Sequence, residues 1–247
     1  MKSPLSFIAG LTFAAFMTSG AHAATVLGIG TVALLGGDLT DPENDGSDAP
    51  EPNGNGLFNW VSISANQQAY FDVDNVNPRQ GSFDIFDNKV DNGEGKYCCS
   101  GGPWNVTVEF AQAYVLTHFT VTSNQDSIGR NPDVWQIQGS NDGTVWTDIF
   151  ASNNDDPAAT ANRLYAGNSV WTTGNQVIRW DGEGADFATP AAYNWFRFNA
   201  DSAAGWVGGG GQLSLAEVEL FGRAVPEPSS VVLLTLASLG LTRRRRR

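Results

Sequence analysis

Between about residues 56 and 222, apolar side chains recur at every second position in short runs, and turn residues separate the runs. Asn105-Val106-Thr107-Val108-Glu109-Phe110 alternates in this way, as does Val134-Trp135-Gln136-Ile137-Gln138. Residues 114–122 form a longer β-branched run, and 145–149, 195–198 and 213–221 complete the series. A period of two marks half-buried strands. Gly139-Ser140-Asn141-Asp142-Gly143 carries an Asn-Asp-Gly turn signal between two of them. No long stretch has the 3.6-residue period of a helix, and no internal repeat is visible. The pattern predicts an all-β antiparallel sandwich.

The 24–55 segment reads differently. Residues 26–35 are an apolar, glycine-containing run that could be a first strand, and an acidic, turn-rich stretch follows it. Asp41-Pro42-Glu43-Asn44-Asp45-Gly46 spaces its oxygens like a calcium loop. The twelfth position, where such a loop needs Glu, is Pro52. A solvated acidic loop is the better reading.

Both ends of the chain carry processing signals. Lys2, an apolar stretch over 5–17 and Ala21-His22-Ala23 form a secretory signal peptide with cleavage expected after Ala23. At the other end Pro226-Glu227-Pro228 precedes an apolar run, 229–242, and five arginines. As a helix, that run would reach roughly 21 Å, short of the ~30 Å hydrocarbon core. It suits transient membrane insertion, with the arginines held on the cytoplasmic side. The tail resembles the PEP-CTERM sorting signal of Gram-negative bacteria, with Pro226, Glu227 and Pro228 as the motif proper. The resemblance implies handling by an exosortase, export, and residence at the cell surface or in an extracellular matrix. The expected organisation is a signal peptide (1–23), an acidic N-terminal segment (24–55), a sandwich (56–222) and a sorting tail (223–247).

Charge and rare residues exclude several function classes. Removing Lys2 and the five terminal arginines from the 14 basic residues leaves 8 against 26 acidic ones, a net of −18. Such a surface repels nucleic acid and anionic lipid. The two cysteines, Cys98 and Cys99, are adjacent. That spacing matches neither a zinc site nor a Cys-x-x-Cys redox motif. In an oxidising compartment they could form a strained vicinal disulfide, pair with another chain, or stay reduced. His118 lies in a strand-like run whose alternation points it outward. There is no Gly-x-Ser-x-Gly elbow, phosphate loop or His-Glu-x-x-His. No catalytic residue is expected.

Three ordered segments resemble a discoidin domain, the coagulation factor V/VIII type C fold shared with family-32 carbohydrate-binding modules. The first is Phe86-Asp87-Asn88 with Gly95-Lys96-Tyr97, similar to the family's F-D-G…T-K-W. The second runs over 130–146 and resembles R-x-P…W-x-(L/I)-x-G-S-N-D-G-x-x-W. The third is Leu215-Ala216-Glu217-Val218-Glu219-Leu220-Phe221-Gly222, similar to the closing strand. The resemblance implies an eight-stranded jelly roll and a structural calcium. Asp87 and Glu217 fall on the family's carboxylate ligand positions, with the carbonyls of Asp84 and Ala216 beside them. The family's threonine ligand is missing; Lys89 stands where a neutral oxygen belongs, and Asp91 or Asn92 could substitute. Without a metal, Asp87 would cap a turn and Glu217 would pair with Lys96.

Discoidin-type modules bind sugars, lipids or proteins through loops at one end of the sandwich. Sugar recognition needs an exposed aromatic face and a few groups that bond hydroxyls. Trp135 and Trp146 lie in strand pattern and are expected in the core. Trp104 and Trp206 flank Gly-rich loops and are expected to be exposed. Arg130 opens a loop and could bond hydroxyls bidentately, or instead fix the loop through Asp126 or Asp133. The leading expectation is a secreted, non-catalytic module attached to polysaccharide. The alternative is a structural or adhesive matrix protein without a defined sugar site.

Overall fold

The computed structural model describes residues 24–42, 59–67, 80–90, 95–101, 103–125, 130–152, 171–203 and 212–226. Nine strands lie in these residues: β1 (Thr25–Ile29), β2 (Ser62–Ala65), β3 (Tyr97–Gly101), β4 (Trp104–Ser123), β5 (Pro132–Ser140), β6 (Thr147–Ser152), β7 (Gln176–Asp181), β8 (Tyr193–Ala203) and β9 (Gln212–Ala224). All the strand pairs are antiparallel. The all-β antiparallel sandwich read from the alternation is the architecture found.

β4 organises the fold. The two alternating runs expected at 105–110 and 114–122 are one strand of 20 residues. Its first half pairs with β2 on one side and β8 on the other. After a register irregularity between Glu109 and Tyr114, its second half pairs with β7 and β9. β4 therefore belongs to two layers, β2-β4-β8-β5-β6 and β1-β7-β4-β9-β3.

An aromatic core fills the space between the layers. Phe119 stacks on Trp180 at 5.3 Å, Trp135 meets Trp180 edge-on at 5.3 Å, and Trp135 stacks on Phe198 at 5.3 Å. Such offset and edge contacts add to the area these rings bury. Trp135 is in the core, as its strand pattern predicts.

Two aromatic expectations reverse. Trp104 is completely buried. It is the first residue of β4, opposite Ala200 of β8, and its ring joins the core rather than the neighbouring loop surface. Trp146 is half-buried and lies just ahead of β6, with the Arg197 guanidinium 4.2 Å over its ring. The Asn-Asp-Gly turn is present, and Gly143 adopts φ +67, which glycine tolerates best. Asp142 Oδ1 closes the turn by accepting the N–H groups of Thr144 (2.8 Å) and Val145 (2.7 Å). His118 is half-buried and stacks on Phe221 at 4.3 Å.

The N-terminal segment is built into the sandwich as far as it is described. β1 pairs with β7. The Thr31 hydroxyl donates to the Val90 carbonyl, and Leu39 N–H donates to the Leu220 carbonyl. Asp38, Thr40 and Asp41 are buried, not solvated as the acidic composition suggests. Residues 43–52, the rest of the calcium-loop pattern, lie outside the described residues.

Candidate functional site

The densest unusual chemistry lies where β9 meets residues 34–41 and 80–90. In β9, residues 213–220 are all buried. Alternation puts Glu217 and Glu219 on the face opposite Val218 and Leu220. That face is covered by the N-terminal segment rather than by water. Glu219 is fully engaged there. Its carboxylate accepts Gly36 N–H (2.6 Å), Leu35 N–H (3.2 Å) and the Thr120 hydroxyl (2.6 Å). Burial raises its pKa, and these three donors pull it back down.

Glu217 is less well supplied. It is completely buried; one oxygen takes the N–H of Val218 (3.1 Å), and the other, Oε2, has no hydrogen-bond partner. Burial pushes its pKa well up, and the carboxylates of Asp87, Asp38 and Glu219 push it the same way. A buried carboxyl among like charges is costly unless something positive or protic joins it.

Asp87 and Asn88 follow a short 3-10 turn, Phe83–Ile85. Asp84 is buried, and its Oδ2 accepts Gly81 N–H at 2.5 Å. Its carboxylate thus braces the turn, leaving its carbonyl as the group it would offer a ligand. Asp87 is buried and accepts Lys89 N–H at 3.1 Å, the turn-capping contact expected in the absence of metal. Asn88 sits at φ +55, its amide donates to the Asp41 carbonyl (2.8 Å), and its Oδ1 is buried without a partner. Lys96 is buried as well. Asp91 lies outside the described residues.

Ala216 has a backbone peculiarity. Along β4, Thr122 faces Glu217 and Ser123 faces Leu215, so the register skips Ala216. An extra residue of this kind drops out of the ladder.

Asp38 completes the group. One oxygen accepts the N–H of Thr40 (2.6 Å) and the Thr40 hydroxyl, while Oδ2 is buried with no partner. Burial pushes its pKa to about 7, with Glu219 adding to the rise and the Thr40 donors opposing it. Sequence reasoning missed Asp38, Asn88 and Glu219. The signal available was Asp38 two residues before Thr40, a spacing that favours a local side-chain-to-backbone turn.

Among the described residues no three carboxylate, histidine or cysteine side chains are gathered as a ready metal centre. A cation here would be held by two carboxylates, Asp87 and Glu217, with carbonyl and amide oxygens. The donor set is oxygen only, and it includes the orphaned buried oxygens Glu217 Oε2 and Asn88 Oδ1. These properties fit a hard divalent cation such as calcium.

The proposed ligand residues lie elsewhere. Arg130 is half-buried just before β5. Pro132 of β5 pairs with Ala203, the last residue of β8, so Arg130 sits close in sequence to the point where β5 meets the end of β8. Trp206 lies outside the described residues. Trp104 is not available to a ligand. Cys98 is disulfide-bonded, and no described cysteine is free.

Residues 224–247 match the family described as the PEP-CTERM protein-sorting motif. The match indicates export to the cell surface or beyond. It begins at Ala224, the last residue of β9. Pro226 is described and exposed, whereas Glu227 and Pro228 lie outside the described residues. Among the described residues no helix is long and apolar enough to cross a membrane. A search of curated proteins finds no match.

Solved structures with a similar fold include a CBM32 module from Clostridium perfringens in complex with GalNAc-β-1,3-galactose. It is 16% identical with a TM-score of 0.45, covering 65% of this chain and 94% of that one. Another is CBM32-3 from a family 31 glycoside hydrolase of Clostridium perfringens. It is 19% identical with a TM-score of 0.46, covering 67% of this chain and 92% of that one. A fucolectin from striped bass (Morone saxatilis) serum is 14% identical with a TM-score of 0.46, covering 67% of this chain and 48% of that one.

Proposed function

We propose that this protein is an exported, non-catalytic binding module that attaches to polysaccharide outside a Gram-negative-type cell and carries one structural calcium. The observation that carries the reading is the junction at Ala224. A sorting motif begins where the last described strand of a β-sandwich ends, so the tail is joined directly to a folded module. Signal peptidase and an exosortase are the processing partners this implies, with the apolar tail entering the membrane only in transit.

The sugar site is assigned to Arg130 and Trp206. There an aromatic face would stack on a pyranose ring and a guanidinium would bond its hydroxyls. The calcium belongs at Asp87 and Glu217, joined by the carbonyls of Asp84 and Ala216 and, within its loop, Asp91. Its role is to offset buried negative charge and to fix the 80–90 turn against β9.

The test is binding of the purified protein to a panel of neutral and acidic polysaccharides. Arg130→Ala and Trp206→Ala should each weaken binding by on the order of tenfold or more, while Asp142→Asn leaves it unchanged. The burial of Trp104 favours a second reading, a structural or adhesive matrix protein, because it removes one stacking candidate. Absence of binding to every member of the panel would select that second reading.

A further inference from the structure

We propose that residues 34–41 are a cation-dependent strap, seated on β9 when calcium occupies the Asp87–Glu217 site and loosened when it leaves. The inference rests on the calcium reading above and extends it to a segment outside the ligand set.

The geometry couples the two. The strap is held by Gly36 and Leu35 N–H groups on Glu219 and by Leu39 N–H on the Leu220 carbonyl. The Asn88 amide, next to Asp87, donates to the strap's Asp41 carbonyl. Seating the strap therefore buries Asp38 within electrostatic reach of Glu217 and Glu219. Asp38 is 3% exposed, and its Oδ2 finds no donor there. Glu217, completely buried, also keeps an unpartnered oxygen. With the strap seated, Asp38, Asp87, Glu217 and Glu219 are all buried, and Lys96 is buried as well.

Like charges in a low-dielectric interior repel strongly. A divalent ion between Asp87 and Glu217 removes most of the field that Asp38 meets on entry. Without it, an ionised Asp38 is relieved when the strap lifts and returns it to water. The strap's backbone bonds number few, so local opening is the expected response rather than global unfolding. Calcium binding and strap closure are then linked, each favouring the other by the same factor.

The experiment is hydrogen–deuterium exchange on the purified protein in EDTA and in a calcium series, with calcium binding measured in parallel by titration calorimetry. Calcium should slow exchange of the Leu35, Gly36 and Leu39 amides by on the order of tenfold or more beyond any change in the β5 and β8 amides. In Asp38→Asn the strap should be protected already in EDTA, with calcium still binding. Asp142→Asn should behave as the parent protein. If calcium binds but strap protection is equal in EDTA and calcium, the strap is overturned while the calcium site stands. If calcium does not bind at all, both readings fall. If Asp38→Asn leaves the strap as calcium-dependent as in the parent, Asp38 is not the coupling charge and the proposal is overturned.

Discussion

Glu219 of β9 accepts the backbone N–H of Gly36 at 2.6 Å, across 183 positions of sequence. The same carboxylate takes Leu35 N–H and the Thr120 hydroxyl. One buried side chain thereby joins the N-terminal segment, β9 and β4. Glu219→Ala leaves those donors without an acceptor and should cost roughly 2–4 kcal/mol. Glu219→Gln keeps one acceptor oxygen and should cost less. Chemical denaturation of the two variants, read at the transition midpoint, checks the order.

Trp104 is expected to matter for stability rather than for ligand. Trp104→Ala empties a fully buried site and should cost about 3–5 kcal/mol, while Trp104→Phe should cost clearly less. Polysaccharide affinity of folded Trp104→Phe should match that of the parent. A selective loss of affinity with unchanged stability would place this residue in a binding surface after all.

The strand pattern was legible where alternation was clean, as along 105–110 and 134–138. That β4 is continuous was not legible, because its two halves face different partner strands and the period breaks between Glu109 and Tyr114. Trp104 was misjudged from its Gly-rich neighbours; the first position of an inward-facing strand outweighs the adjoining loop. The buried state of Asp38 was hidden for a different reason. An acidic, turn-rich stretch reads as solvated until a second segment, here β9 with Glu219, is known to cover it. Asp87 and Glu217 are singled out as ligands by the family resemblance alone, whereas the skipped register at Ala216 emerges only from pairing with β4.

Arg197 lies 4.2 Å over the Trp146 ring, and both are half-buried. Arg197→Ala uncovers one face of the indole. Stability should fall by only about 0.5–1 kcal/mol. Tryptophan fluorescence should shift to the red by the amount that Trp146→Phe abolishes.

Asp142 gives a pH prediction whose sign is fixed. The N–H groups of Val145 and Thr144 stabilise its ionised form and lower its pKa to about 2. The folded pKa is depressed, so the group's contribution to stability is complete above an ordinary carboxyl pKa near 4 and is lost as pH falls through about 2. Carboxyl-detected NMR should place its midpoint near 2. A midpoint near 4 would mean that the turn is open in solution.

The central claim is that the buried carboxylates beside β9 form a calcium site on which the fold leans. The most direct measurement is the thermal midpoint of the purified protein in EDTA and then across a calcium series. The account predicts a midpoint that climbs with calcium concentration, as mass action requires for an ion bound only by the folded state. Asp87→Ala and Glu217→Ala should abolish the climb. A midpoint indifferent to calcium in the parent protein would contradict the account.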